Sequence, residues 1–494
     1  MCGLAGAHGI LVDGLSNDWW GAQAAVGNLG RVARNASGQG EYVWRDVNGD
    51  ERTDFASPDS EADIATLWIT GDTNGLGIFM ATAAAPNAAI QAQVAIDLDR
   101  VAGSGQQWLV GLADTVVDTA AAWERLIQTR FASGGTATVW DANFTAVAST
   151  PAARGANGIE IFVSWTNLGL AGPPTAPLRF TVATFRSAAN DQTLDLGGSS
   201  VANALDVVTT YGNPGASGYP NTWSEVSDQV INYFFDVYFQ KSGSALPGEV
   251  YAPVLVDRLV SNSSTVNELV AVRNVTPATI DLGGFKIGDE ETPDAGEGMY
   301  RFPSNTALAA GAAFLLALNG NAFVATLGYA PEAEFTATSA EIVDLAKYTP
   351  WASGNWALAN AGDGIVLLDG ADTIVDVVAY GSSTYAGITS MNAPGVDELF
   401  RRAPAERDTD NCGADFVSVG ALGAPLKITA ISATNSQLRL TWQDVAADYV
   451  VEARTNLTAE SWQPVAGTAW PLGGNSWTSA LPASPHQFYR VKRY

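Results

Sequence analysis

Leu358-Ala359-Asn360-Ala361-Gly362-Asp363-Gly364-Ile365-Val366-Leu367-Leu368-Asp369, followed by Val375-Asp376-Val377-Val378-Ala379-Tyr380-Gly381, is the stretch on which the fold turns. Two short apolar runs are separated by small and acidic residues. Gly362 can supply the positive φ that a turn beside a strand requires. Short apolar runs bounded by turn residues read as strands. Working outward, Gly283-Gly284 punctuates the chain in the same way, and Gln437-Leu438-Arg439-Leu440-Thr441-Trp442 alternates with period two. Strands are also read at Ile64–Thr70, Ile90–Leu98, Gly158–Val163, Leu178–Phe185 and Tyr233–Phe239. Trp123–Phe131 and Ala137–Trp140, either side of Ser133-Gly134-Gly135, read as a hairpin. Turn signals recur about every 8–12 residues, the spacing of β-sandwiches. The expectation is an all-β chain.

Flexible, small-residue stretches divide it. Gln240–Gly248 and Val419–Pro425 mark the boundaries, so three serial sandwiches, immunoglobulin-like or jelly-roll-like, are expected at 1–242, 249–423 and 426–494. At 494 residues the chain has ample material for several cores.

Composition narrows the function. Lys and Arg number 25 against 51 Asp and Glu, a formal net charge of −26. Such a chain repels phosphate, and it has no basic patch, so nucleic acid is not an expected partner. The two histidines, His8 and His486, stand near opposite ends. A Ser-His-Asp triad or a His-ligated zinc would have to use one of them. There is no Gly-rich phosphate loop, nucleophile elbow or His–Cys cluster. A non-catalytic protein is expected.

Met1–Gly6 has neither the basic nor the apolar region of a signal peptide. The longest apolar run, near Ala307–Leu318, is too short to span a membrane. The chain is then cytosolic or a mature form written without its leader. Low Lys, many Trp, Gly-rich turns and sequons at Asn35, Asn143, Asn262, Asn274 and Asn456 favour the second, at the cell surface or outside it. Cys2 and Cys412 leave three readings open: a long-loop disulfide, a lipidated Cys2, or two unrelated thiols.

The strongest metal motif is Asp46-x-Asn48-x-Asp50-x-x-x-Asp54. Alternate side-chain oxygens on a loop turned at Gly49 can converge on one hard cation. Ca²⁺ takes about six to eight oxygens, so Asp59, Asp63 or backbone carbonyls would complete the shell. No bidentate Glu stands where an EF-hand needs one. Asp408-x-Asp410-Asn411 with Asp415 is a second, less complete set. Asp289, Asp363 and Asp369 read as turn-capping acids.

Three resemblances extend this reading. Asn267–Asn274, Ile280–Asp289, Tyr300–Gly311, Leu358–Asp369, Val375–Gly381 and Arg401–Phe416 follow in order the motifs of the lamin-tail domain, an immunoglobulin-like sandwich. Leu269, Phe285 and Ala310 depart from its usual Trp, Trp and Pro. The resemblance implies a non-catalytic attachment or assembly module. Asp13-Gly14, Asp18-Trp19, Gly40–Asp46, Gly49–Glu51, Ala62–Ile64, Ala95–Asp97, Val139–Asp141 and Gly158–Leu170 resemble the DOMON-like superfamily near family 9 carbohydrate-binding modules. Members bind sugars or haem. His8 and Met80 make no axial pair, so haem is not expected. Trp19 and Trp44 are the sugar-stacking candidates, with core packing the competing reading for the tryptophans here. Gln437–Trp442, Tyr449–Arg454, Ser461–Val465 and Phe488–Val491 resemble a fibronectin type III-like module, with Trp442 and Tyr449 in its core. Together these imply a self-assembling surface layer, sheath or filament supported by Ca²⁺, pairing with itself or other surface proteins. The alternative is a polysaccharide-binding adhesin.

Overall fold

The computed structural model describes residues 8–493 except 22–23, 25–26, 53–59, 133–134, 189, 191, 195–202, 211–228, 240–245, 265, 267, 294–295, 423–426, 435, 444–448, 456–461, 469–475 and 481–487. The described chain is β throughout apart from short helical turns and one eight-residue helix, Gly320–Leu327. Most of the two stretches between segments, 240–245 and 423–426, lies outside the described residues.

In the first segment one antiparallel ladder runs through ten strands. It passes from Leu29–Arg34 to Gly40–Arg45, Ile64–Gly71 and Gly75–Thr82, then jumps to Gly158–Ser164. It returns through Ala146–Arg154, Gly135–Asp141, Arg125–Arg130 and Ile90–Asp97 to Leu178–Arg186. Arg125–Arg130 and Gly135–Asp141 form the hairpin expected there. Leu67, Ile69, Ile78, Val94, Ile96, Ile127, Val139, Ile161 and Phe180 fill one apolar core. The ladder wraps until its last strand meets the connection between its second and third strands. Thr184 on the last strand donates its hydroxyl to the Ala62 carbonyl, 2.8 Å away, and Arg52 N–H donates to the Leu205 carbonyl at 2.8 Å. Asp206–Val207 adds two residues to this edge. The Tyr233–Phe239 run is shorter as a strand than expected. Only Phe235–Val237 pairs with Leu178–Phe180, while Tyr238 bridges to Tyr251 and the Tyr233 hydroxyl reaches the Ala371 carbonyl.

The middle segment has two layers. Seven strands run in the order Val343–Asp344, Ala333–Thr336, Ala313–Asn319, Leu269–Asn274, Val254–Val260, Glu398–Arg402, Phe416–Ala421. Opposite them lie Lys286–Gly288, Met299–Arg301, Ala346–Lys347, Gly362–Leu368 and Ile374–Gly381. The opening stretch forms the last two of these, paired from Gly362↔Gly381 to Leu368↔Ile374. Gly362 at φ 159 and Gly381 at φ 61 approach so closely that a Cβ on Gly381 would meet the Ala361 carbonyl oxygen at 2.1 Å. The helix Gly320–Leu327 has clear local causes. The Asn319 side chain accepts from Ala322 N–H at its start, and Gly328 ends it at φ 77. Phe323 and Leu327 dock it on the sheet.

The first two segments share an apolar core cluster. Arg31 pairs with Ile374 in a single parallel bridge. The buried Arg34 donates to the Val250 carbonyl at 2.6 Å and the Asp408 carbonyl at 3.2 Å. Among its described residues, the last segment forms two three-stranded sheets. Leu440, Trp442, Tyr449, Val451 and Trp477 lie between them, with Trp442 and Tyr449 edge to face at 5.4 Å. Among the described residues, no helix is long and apolar enough to cross a membrane.

Candidate metal centre

The seam where the first ladder closes carries four carboxylates. Asp46 follows the strand Gly40–Arg45, Asp63 precedes the strand Ile64–Gly71, and Asp50 lies in the turn shaped by Gly49 at φ 89. Asp206 arrives from the far end of the ladder. One oxygen from each of the four lies within 4.8 Å of the others. Asp46, Asp63 and Asp206 are 5%, 2% and 0% exposed.

Backbone amides hold the carboxylates in place. Asp46 Oδ1 accepts from Val47 N–H at 2.7 Å, and Asp63 Oδ2 from Gly49 N–H at 2.8 Å. Asp206 accepts from Ile64 N–H at 2.7 Å and Val207 N–H at 2.8 Å. The remaining oxygens of three members, Asp46 Oδ2, Asp50 Oδ1 and Asp63 Oδ1, are buried and face no hydrogen-bond donor other than neighbouring carboxyls. Buried carboxylates are ordinarily paired or bound to a metal. Here like charges face one another. Burial, then Asp206, Asp50 and Asp63, holds the Asp46 carboxyl well above the usual range. Burial likewise pushes Asp50 up to about 7 and raises Asp63. A recess lined by Gly27, Arg45, Asp46, Val47, Asn48, Ala65 and Thr66 opens beside Asp46. The donor set is all oxygen, which suits a hard cation.

Asp46, Asp50 and Asp63, read from the sequence, therefore converge, and Asn48 lines the approach. Asp54 and Asp59 lie outside the described residues. Asp206 was not foreseen. Its signal is an acid inside the apolar run Ala204-Leu205-Asp206-Val207-Val208, where a charge needs a reason to be buried.

The second acidic set has other partners. Asp410 pairs with Arg31 at 3.1 Å and accepts from Arg34 N–H at 2.8 Å. Asp415 accepts from Arg407 at 3.1 Å and from the Thr409 N–H and hydroxyl at 2.8 Å. Arg402, 2% exposed, lies 2.8 Å from Asp376, 3.7 Å from Asp408 and 3.6 Å from Asp415. Arginine supplies here the charge that a metal would have brought.

Other sequence-level candidates are placed as follows. Trp19 and Trp44 are core residues: Trp19 is 7% exposed with its indole N–H on Glu160 at 2.9 Å, and Trp44 is 0% exposed with its N–H on the Thr209 carbonyl at 2.7 Å. Neither offers a face on which a sugar could stack, which corrects their reading as ligand aromatics. Asp289, Asp363 and Asp369 each accept from two backbone amides, as turn-capping acids do. The Asn274 amide is fully buried and donates to the Ala278 and Leu308 carbonyls, so that sequon is inaccessible to a glycan. Met80 is buried in the core, and His8 is held by the Asp18 carbonyl and by Glu41 at 3.3 Å. Cys412 is a buried free thiol, its pKa pushed up to about 12 by burial; Cys2 lies outside the described residues.

Residues 248–382 match the family model of the Lamin Tail Domain. The middle segment thus carries an immunoglobulin-like domain of that family, and its closing strands, Glu398–Arg402 and Phe416–Ala421, lie beyond the matched residues. That family is non-enzymatic, and a structural or interaction role is what the domain brings. No curated protein matches the chain. Among solved structures, the chain is similar to a DUF4876 family protein from Bacteroides thetaiotaomicron at 11% identity, over 57% of this chain and 87% of that one, with a TM-score of 0.26.

Proposed function

We propose that this is a non-catalytic structural and interaction protein of the cell exterior, with Ca²⁺ bound at Asp46, Asp50, Asp63 and Asp206 as part of its fold. The observation that carries the metal reading is the set of buried carboxylate oxygens at the ladder seam that face no donor but neighbouring carboxyls. A divalent ion there offsets part of the mutual repulsion and ties the strands at one end of the ladder to the edge at the other. The resulting unit is a stiff building block, packed against the lamin-tail domain through a common core. Self-association has a place to occur. Among the described residues, Phe416–Ala421 is the outermost strand of its sheet and pairs on one side only, and exposed edges invite another strand. The adhesin alternative loses both of its named aromatics to the core.

The test is the mass of the full chain by light scattering, with Ca²⁺ and with a chelator. Calcium-dependent multimers that dissociate on chelation, and that Asp206→Asn prevents, are the expected result. A monomer under both conditions overturns the assembly reading.

A further inference from the structure

A second group of carboxylates lies elsewhere on the same ladder. The strand Ile90–Asp97 ends in the loop Leu98-Asp99-Arg100-Val101-Ala102-Gly103-Ser104, and the neighbouring strand starts at Arg125, paired with Ile96. This pairing brings Glu124 beside Asp97. One oxygen from each of Asp97, Asp99 and Glu124 lies within 4.8 Å of the others. Asp97 is 1% exposed; its Oδ1 accepts from the Asp99 and Arg100 amides, and its Oδ2 is buried with no hydrogen-bond partner. That oxygen is the independent sign of a missing ligand. An anionic oxygen removed from water and given no donor is costly, and the opposed Arg179, bound to Asp236 at 2.8 Å, offsets only part of that cost.

We infer that Asp97, Asp99 and Glu124 form a second divalent-cation site, with calcium its fitting occupant. Ser104 Oγ is part of the same cluster, 2.9 Å from Asp99 Oδ1 and 3.0 Å from Glu124 Oε1. One oxygen each from Asp97, Asp99 and Glu124, with Ser104 Oγ beside them, supplies about half of the six to eight or so oxygens that Ca²⁺ takes, and solvent or backbone carbonyls would supply the rest. A loop of this kind suits calcium better than magnesium, which demands near-ideal octahedral geometry. Burial, and then the Asp99 and Asp97 charges, raises the Glu124 carboxyl, as expected of acids facing one another. The site is separate from the first. Thr184 opposes Asp206, whereas Arg179 opposes Asp97. The five steps along the strand from Arg179 to Thr184 correspond to about 17 Å.

Equilibrium dialysis of the chelator-stripped full chain against Ca²⁺ at moderate salt, followed by elemental analysis, tests this. Asp99→Asn with Glu124→Gln should remove one equivalent of bound calcium relative to the unsubstituted chain and leave its circular dichroism unchanged, since Asp99 is exposed and Glu124 only half-buried. Asp206→Asn should remove a different equivalent, and the combined variant should lose both. Terbium emission sensitised by Trp123, adjacent to Glu124, should fall in the Asp99/Glu124 variant. Asp99→Asn alone is the readout if the double variant fails to fold. Unchanged calcium content in a folded variant lacking these acids overturns this site, whatever Asp206→Asn does.

Discussion

Asp46–Asp63 and Asp408–Asp415 are both acidic runs in turns, and their environments are opposite. At the first, the rest of the chain delivers another acid, Asp206, to three carboxylates that each leave an oxygen facing no donor but another carboxyl. At the second it delivers arginines: Arg31 and Arg34 from the first segment, Arg402 and Arg407 from nearby. Acid spacing alone therefore does not make a metal site. What matters is the sign of the charge that tertiary structure places opposite.

Substitutions can break this contrast. The largest effect is expected from Arg402→Met. It removes a buried cation from Asp376, Asp408 and Asp415 and should destabilise the middle segment by about 3–5 kcal/mol in denaturant unfolding. A loss below about 1 kcal/mol would mean that the arginine is not what neutralises this run.

Acidity probes a third buried group, where His8, Glu41 and Glu249 meet. Burial raises Glu41 from 4.5 to about 8 and Glu249 from 4.5 to about 7, and it lowers His8. Asp18 and Asp72 add to the two rises, while Arg34 and backbone amides oppose them. Because both acids have raised folded-state values, their contribution is fully present below pH 4.5 and is lost as pH climbs towards 7 and 8. The free energy of unfolding should therefore fall across that window, on the order of 4 kcal/mol for Glu41, and the melting temperature with it. Glu41→Gln should flatten most of the slope; an unaltered slope would assign it to other groups.

Calcium removal comes next. At about a hundredfold excess over the dissociation constant, a bound ion adds about 2.7 kcal/mol. Chelation should withdraw that from the first segment and leave the arginine-held run untouched. The smallest pair sharpens the comparison by its signs. Asp408→Asn weakens one arginine contact and should cost about 1 kcal/mol. Asp50→Asn, in calcium-free protein, relieves like-charge repulsion and should stabilise by about 1 kcal/mol. Two shifts of the same sign would remove the distinction.

Much of the fold was legible in short alternating runs. Ile64–Gly71 and Ile90–Asp97 stand almost where periodicity puts them, because alternation follows directly from the strand geometry. The helix Gly320–Leu327 escaped because its cues are local caps, Asn319 and Gly328, attached to an apolar run that reads equally well as strand. Trp19 and Trp44 show a second limit. Residue type says that an indole wants burial or stacking, and only the packing says which. The candidate site was half legible: Asp46, Asp50 and Asp63 are close in sequence and share a turn. Asp206 reaches them by wrapping a ten-strand ladder, a long-range consequence that no local pattern carries.

The most direct test is a calcium titration of the chelator-stripped full chain carrying Asp99→Asn and Glu124→Gln, followed by calorimetric melting, beside the same chain with Asp206→Asn added. One saturable calcium and a raised melting temperature, both abolished by Asp206→Asn, are the results expected from a metal centre at the ladder seam. Binding and melting that ignore Asp206→Asn, or no calcium effect in either chain, would contradict it.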